Sequence, residues 1–225
     1  MLDRLRAGEL EDDAFDALYP EPMRSVARRF WTPLPVARRA AEHIAELGVD
    51  RVLDVGSGCG KFCIAAAAIA PSTEFVGIEQ RPHLVAAAIA VSARIGVSNV
   101  RFAHGDVAEA SAEGIGAFYF FNPFAENGFS DENCYDSTVE LSHRRMIADL
   151  LRIERMLANA PVGTLVLTYH GFGGRLPDSY DVVSGERAGT DWLRIFRKTR
   201  SVATPGRYLV EVENRIAIAR VRRPR

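Results

Sequence analysis

Asp54-Val55-Gly56-Ser57-Gly58-Cys59-Gly60 follows the short apolar run Arg51-Val52-Leu53 and precedes an alanine-rich stretch from Lys61 to Ala70. Strand, glycine turn and helix in that order put the turn at the carboxyl end of the first strand, where open α/β sheets bind ligands. Glycines there allow a tight turn and let backbone approach a ligand closely. The spacing is Gly-x-Gly-x-Gly, and Lys61 stands where a dinucleotide fingerprint sets its third glycine.

Outward from this turn, strands and helices alternate. Thr32-Pro33 reads as an N-cap with proline at the first helical position. Behind it Val36, Ala40, Ile44 and Leu47 recur at helical spacing, and Gly48 supplies the stop. Further strands are expected over Glu74–Ile78, Asn99–Ala103, Ala117–Phe121 and Gly163–Tyr169, with helices over Pro82–Ile95 and Asp136–Ala160. Residues 190–221 read as two strands turned at Thr204-Pro205-Gly206 and therefore antiparallel to each other. The fold class expected is α/β: a mostly parallel seven-stranded sheet, helices on both faces, closed by an antiparallel C-terminal hairpin. Residues 1–32 read as an N-terminal extension and 33–225 as one domain.

Composition narrows the function classes. The 225 residues, 48% hydrophobic and 25% charged, suit a single globular domain. A formal net charge of -1 gives no sign of a dedicated nucleic-acid surface, and the basic end Arg220–Arg225 reads as a solvated tail. Cys59, Cys63 and Cys134 form no Cys-x-x-Cys pair, which points to reduced thiols in a cytoplasmic protein and to no metal site. The N-terminus lacks a secretory apolar region, and the apolar run Phe62–Pro71 is too short to span a bilayer, so no membrane partner is expected.

Three more strand ends carry candidate chemistry. Glu79-Gln80 ends the second strand about 20 residues after the glycines, the place from which a carboxylate accepts hydrogen bonds from a ribose diol. Gly105-Asp106-Val107 ends the third strand, and Asn122-Pro123-Phe124 ends the fourth.

Together these motifs resemble the class I S-adenosylmethionine-dependent methyltransferases, whose Rossmann-like sheet ends in a reversed hairpin. The resemblance covers roughly residues 33–170. It implies that Gly56, Ser57, Gly58 and Gly60 cradle the methionyl part of S-adenosylmethionine, with Asp54 near its ammonium. It implies Glu79 and Gln80 at the ribose, and Gly105, Asp106 and the Val107 amide at the adenine. S-adenosylhomocysteine would be the product. Asn122-Pro123-Phe124 is similar to the Asn-Pro-Pro-aromatic signature of amino-group methyltransferases, with one proline in place of two. With Ala125 it is also similar to the Asn-Asn-Phe-Ala of the non-SET histone-lysine methyltransferases. The first likeness implies that Asn122 orients an amine or amide nitrogen, contacting the cofactor side as well, and that Phe124 packs on a planar acceptor. The reaction then needs orientation and desolvation more than a strong base.

The acceptor stays open between protein, RNA and small molecule. A nicotinamide-dependent oxidoreductase and a non-catalytic nucleotide-binding protein of the same fold are the alternatives. Tyr169 and His170 end the fifth strand on the substrate side; His170 reads either as a reacting group or as a solvated residue, and His43 as structural. Trp31 and Thr32 precede the first helix, where a segment closes over the cofactor or simply joins the core. Gly171-Phe172-Gly173-Gly174 reads as a loop, with or without a gating role.

Overall fold

The computed structural model describes residues 1–129 and 134–201. Four short helices come first: α1 (Leu2–Ala7), α2 (Asp12–Asp16), α3 (Glu21–Arg24) and α4 (Ala27–Phe30). Then follow α5 (Leu34–Glu46), β1 (Arg51–Val55), α6 (Lys61–Ile69), β2 (Glu74–Glu79), α7 (Pro82–Ile95), β3 (Val100–His104) and β4 (Ala117–Phe121). The chain continues through α8 (His143–Asn159), β5 (Leu165–Tyr169), β6 (Tyr180–Ala188) and β7 (Asp191–Lys198). The strands form one seven-stranded sheet in the order β3-β2-β1-β4-β5-β7-β6. β1 to β5 pair in parallel; β7 runs antiparallel to both β5 and β6.

Strand alternation builds the two faces. Val52, Ala117, Tyr119, Leu165 and Leu167 pack with α5, α6 and α7 residues such as Ile44, Ile64 and Leu84. Their neighbours Leu53, Val55, Phe118, Phe120 and Val166 join a second cluster with Ile153 and Leu157 of α8. Leu5, Phe15, Tyr19 and Trp31 of the N-terminal segment belong to the first cluster, so that segment shares the sheet's core. Helix ends are closed from a distance. Asn99 donates its side-chain amide to the carbonyls of Ala67, Ala70 and Thr73 behind α6. Lys198 Nζ donates to the carbonyls of Leu157, Ala158 and Ala160 at the end of α8, placing its charge where a helix dipole favours a cation.

Three expectations need correction. The hairpin that closes the sheet is β6–β7, turned at Gly189-Thr190, rather than two strands within 190–221. The expected turn at Thr204-Pro205-Gly206 lies outside the described residues. Residues 180–188, to which the sequence reading gave no element, form the edge strand β6, whose middle is solvent-facing and polar enough to hide the apolar alternation. The helix expected from Asp136 begins at His143, because Ser142 accepts the Arg145 amide hydrogen as an N-cap. Thr32 is not a cap: its Oγ1 lies 3.0 Å from the buried Tyr119 hydroxyl, and Asp12 accepts the Leu34 amide hydrogen at 2.8 Å instead.

Candidate active site

The carboxyl ends of β1, β2, β4 and β5 open on a cavity of about 370 Å³. Of the expected site residues, Gly56, Gly58, Glu79, Gln80, Gly105, Val107, Asn122, Pro123 and Phe124 line it. Asp54 and Ser57 do not; with Gly56 they line a smaller pocket of about 30 Å³ beside it.

The glycine turn is held open by its own backbone. Gly56, Gly58 and Gly60 have φ of +74°, +55° and +82°, the left-handed region that glycine enters without penalty. A side chain at Gly56 would meet Pro123 Cβ at 3.0 Å, so the turn after β1 and the loop after β4 touch. At Gly58 a Cβ would meet nothing within 4 Å, leaving open space above the turn. Gly60 serves packing: a Cβ there would lie 2.5 Å from the Phe102 ring.

Glu79 closes over this turn. One carboxylate oxygen accepts the Gly58 amide hydrogen at 3.0 Å and the other the Arg81 amide hydrogen at 2.9 Å. Burial raises its pKa against the opposing pull of those two bonds. Asp54 is more isolated: burial pushes its carboxyl up to about 7, Cys63 Sγ–H donating at 3.4 Å only partly offsets this, and Glu79 adds to it. Asp106 is not among the lining residues, as its neighbours Gly105 and Val107 are; its carboxylate pairs with Arg145 of α8, which does line the cavity.

The structure adds residues that the sequence did not single out. Arg81, nearly buried, donates to Glu126 and Asp136 at 2.9 Å each and lies 5.4 Å from the Tyr135 ring centre, tying the end of β2 to the segment after β4. Burial works against its charge, yet Asp136 and Glu126 hold its pKa above the usual arginine range. No periodicity marks such a tie, since its members are far apart in sequence. Lys61, absent from the cavity, contacts Asp12 and Asp16 at 2.6 Å each and lies within 6 Å of the Phe15 and Trp31 rings. The residue in the third-glycine position is therefore an anchor for α2. His43 pairs with Glu186 on the sheet's far edge, away from the cavity.

Asn122 and His170 follow neighbouring paired strand ends, Phe121 opposite Tyr169. Both have left-handed backbone, with φ of 42° and 59°. Such conformations in non-glycine residues cost energy and gather at functional sites. The Asn122 amide donates to the Gly171 carbonyl at 2.8 Å, and Phe172 buries its ring 5.1 Å from Phe120, so the loop after β5 is pinned to the loop after β4.

The residues present suit a nucleoside that carries a cation. Ile78, Leu84, Val107 and Phe124 give apolar wall, Glu79 retains acceptor capacity beyond its two bonds, and Ser57 Oγ is buried without a partner. Among the described residues Asp54 meets no cation, and no group of side chains suited to a metal ion occurs.

Residues 48–116 match the family model described as a methyltransferase domain. The tRNA (guanine-N(7)-)-methyltransferase of Shewanella pealeana is 42% identical over 60 residues, 27% of this chain and 25% of the relative. The same enzyme of Nitrosococcus oceani is 29% identical over 113 residues, 42% of this chain and 48% of the relative. The chain thus matches between a quarter and a half of these relatives' length. An RNA methyltransferase from Salinibacter ruber, solved with S-adenosyl-L-homocysteine, superposes with a TM-score of 0.52 at 23% identity, covering 76% of this chain and 95% of that one. TrmN from Thermus thermophilus gives 0.54 at 19% identity, covering 78% and 52%.

Proposed function

We propose that this chain is a class I S-adenosylmethionine-dependent methyltransferase, that it transfers a methyl group to a nitrogen of a planar acceptor, and that the acceptor is a base in RNA. The observation that carries the reading is the pairing of the left-handed glycine turn after β1 with Glu79 across it, on the wall of the cavity that Asn122 also lines. Gly56, Gly58, Glu79, Gln80, Gly105 and Val107 would hold the cofactor, with Asp54 facing its ammonium. When bound, the cofactor supplies an electrophilic methyl carbon on a good leaving group. The chain's task is then orientation and exclusion of water. Asn122, fixed through its amide to Gly171, would aim the acceptor nitrogen, and Phe124 would pack against the acceptor ring.

RNA as acceptor class rests on the relatives and on the cavity mouth. Phe30, Trp31, Phe121, Phe129 and Tyr135 line the cavity together with the exposed Arg28 and Arg29. Aromatic rings stack on unpaired bases, and arginines favour the phosphates beside them. Calorimetric titration with S-adenosylmethionine and S-adenosylhomocysteine, with NADH as control, tests the cofactor. Micromolar binding that is lost in a folded Glu79→Ala variant is expected; folded protein that binds neither sulfur nucleoside overturns the reading. Tritium transfer from labelled S-adenosylmethionine to unmodified tRNA transcripts then tests the acceptor class.

A further inference from the structure

His170 belongs to a hydrogen-bonded chain on the cavity wall that the cofactor reading leaves unused. Its Nδ1 lies 3.0 Å from Asp191 Oδ2, and its Nε2 lies 3.2 Å from Thr190 Oγ1. Thr190 Oγ1 is also 3.0 Å from the Tyr169 hydroxyl, which accepts the Thr190 amide hydrogen at 3.1 Å. Tyr169, His170 and Thr190 all line the cavity, and Asp191 does not.

With the ring neutral, one assignment of hydrogens satisfies every contact. A carboxylate only accepts, so Nδ1 carries the ring hydrogen and donates to Asp191. Nε2 is then an acceptor, and the Thr190 hydroxyl donates to it. Tyr169 donates to Thr190 Oγ1, whose second lone pair is left for a group in the cavity. The ring meets the Asp191 carboxylate from β7, Thr190 from the β6–β7 turn, Tyr169 from its own strand and the Phe121 ring, 5.5 Å away, from β4. Arg28 and Arg29 from α4 line the same cavity. A histidine held by a carboxylate on one nitrogen and presenting a lone pair on the other is the arrangement of a general base. The strained backbone that aims it, at φ 59°, neighbours the strained Asn122 that would aim the nucleophile.

We propose that His170 takes up the proton that leaves the acceptor, with Thr190 as the relay and Asp191 as the residue that positions the ring. This rests on the methyl-transfer reading and narrows its substrate: the acceptor nitrogen bears a hydrogen, unlike a ring nitrogen that offers a bare lone pair. In the step, the nitrogen's electron pair forms the new nitrogen–carbon bond, and the departing sulfur keeps the pair of the broken carbon–sulfur bond. The nitrogen–hydrogen pair stays on nitrogen. Its proton passes to Thr190 Oγ1 as the Thr190 proton passes to His170 Nε2, and the imidazolium is neutralised by Asp191 until solvent removes the proton.

Long-range ¹H–¹⁵N correlation spectra of the histidine rings, on the full chain with and without S-adenosylhomocysteine, test the assignment without any acceptor. His170 is expected as the Nδ1–H tautomer, a preference that is lost when Asp191→Ala removes the acceptor. His170→Asn keeps a residue type that tolerates left-handed backbone but removes the base. With unmodified tRNA transcripts as probe, it is expected to lower kcat by about 100-fold or more. KM and S-adenosylhomocysteine affinity should hold. An Nε2–H tautomer, a tautomer preference unmoved by Asp191→Ala, or a His170→Asn variant with parental kcat overturns the proposal. Failure to bind S-adenosylhomocysteine is a separate result that strikes the methyl-transfer reading, because the spectra of the unliganded chain still decide the tautomer.

Discussion

Replacing Asp54 by asparagine should stabilise the unliganded protein at alkaline pH and leave it nearly unchanged in acid. Asp54 is 4% exposed, and its one hydrogen bond among the described residues comes from the Cys63 thiol. Burial lifts its carboxyl from 3.8 to about 7. Between those values the unfolded chain has released the proton while the folded chain still holds it. Folding therefore takes up a proton, and stability falls as pH rises through this window, reaching its lower plateau above about 7. A shift of about three units at about 1.4 kcal/mol each sets an upper bound of about 4 kcal/mol. Asparagine has no proton to release, and its oxygen still accepts from Cys63. In a domain of this size about 1 kcal/mol moves Tm by about 2–4 °C. Thermal melts of parent and Asp54→Asn at pH 4 and pH 8.5 should thus differ little at the lower pH, with the variant up to about 8–16 °C higher at the upper. An equal difference at both values would refute the argument. The same variant should bind S-adenosylmethionine more weakly, since a carboxylate kept at a cost in stability is the group expected to face a cationic ligand.

Lys61→Met leaves the largely buried Asp16 carboxylate without its partner; a loss of about 3 kcal/mol in urea unfolding is expected, reduced when Asp16→Asn is added. No recovery in the double variant would show that the pair is not what holds α2. Gly56→Ala forces an alanine into left-handed backbone, at about 1–2 kcal/mol, and presses its methyl on Pro123 at 3.0 Å. Turnover on tRNA transcripts should drop about tenfold or more through displacement of Asn122, while Tm falls only a few degrees; parental turnover would show that the two loops move independently.

The parts legible in the sequence are those whose signal is local. The turn Gly56–Gly60 announces itself because three left-handed positions in five residues accept little but glycine. Ala117–Phe121 reads as a strand because its aromatic density suits a sheet interior, and β4 occupies those residues. The strand over 180–188 was missed for the opposite reason. Val182 and Val183 are exposed, charged residues interrupt the run, and pairing with β7 rather than burial makes it a strand. Asp191 and Thr190 also escaped notice. They enter the cavity region only because β7 runs back against β5, and no spacing relates them to His170 beforehand.

The same distinction explains why one wall of the cavity could be anticipated and the other could not. Gly56, Gly58, Glu79, Gln80, Gly105 and Val107 each follow or close a strand that a helix follows, so connectivity alone brings them to one end of the sheet. The opposite wall is assembled from the turn between β6 and β7, the segment after β4 and the helix that carries Arg28 and Arg29. What fixes the N-terminal segment ahead of that helix is long-range: the Tyr19 hydroxyl donates to the Cys59 carbonyl at 2.9 Å, Lys61 holds α2, and Asp12 caps α5. Each of these bonds ends on, or next to, the glycine turn or the helix leading into β1. The N-terminal segment that presents the arginines is thereby seated on the elements that would hold the cofactor, and a change in that turn on binding would reach the acceptor's entrance through Cys59 and Lys61.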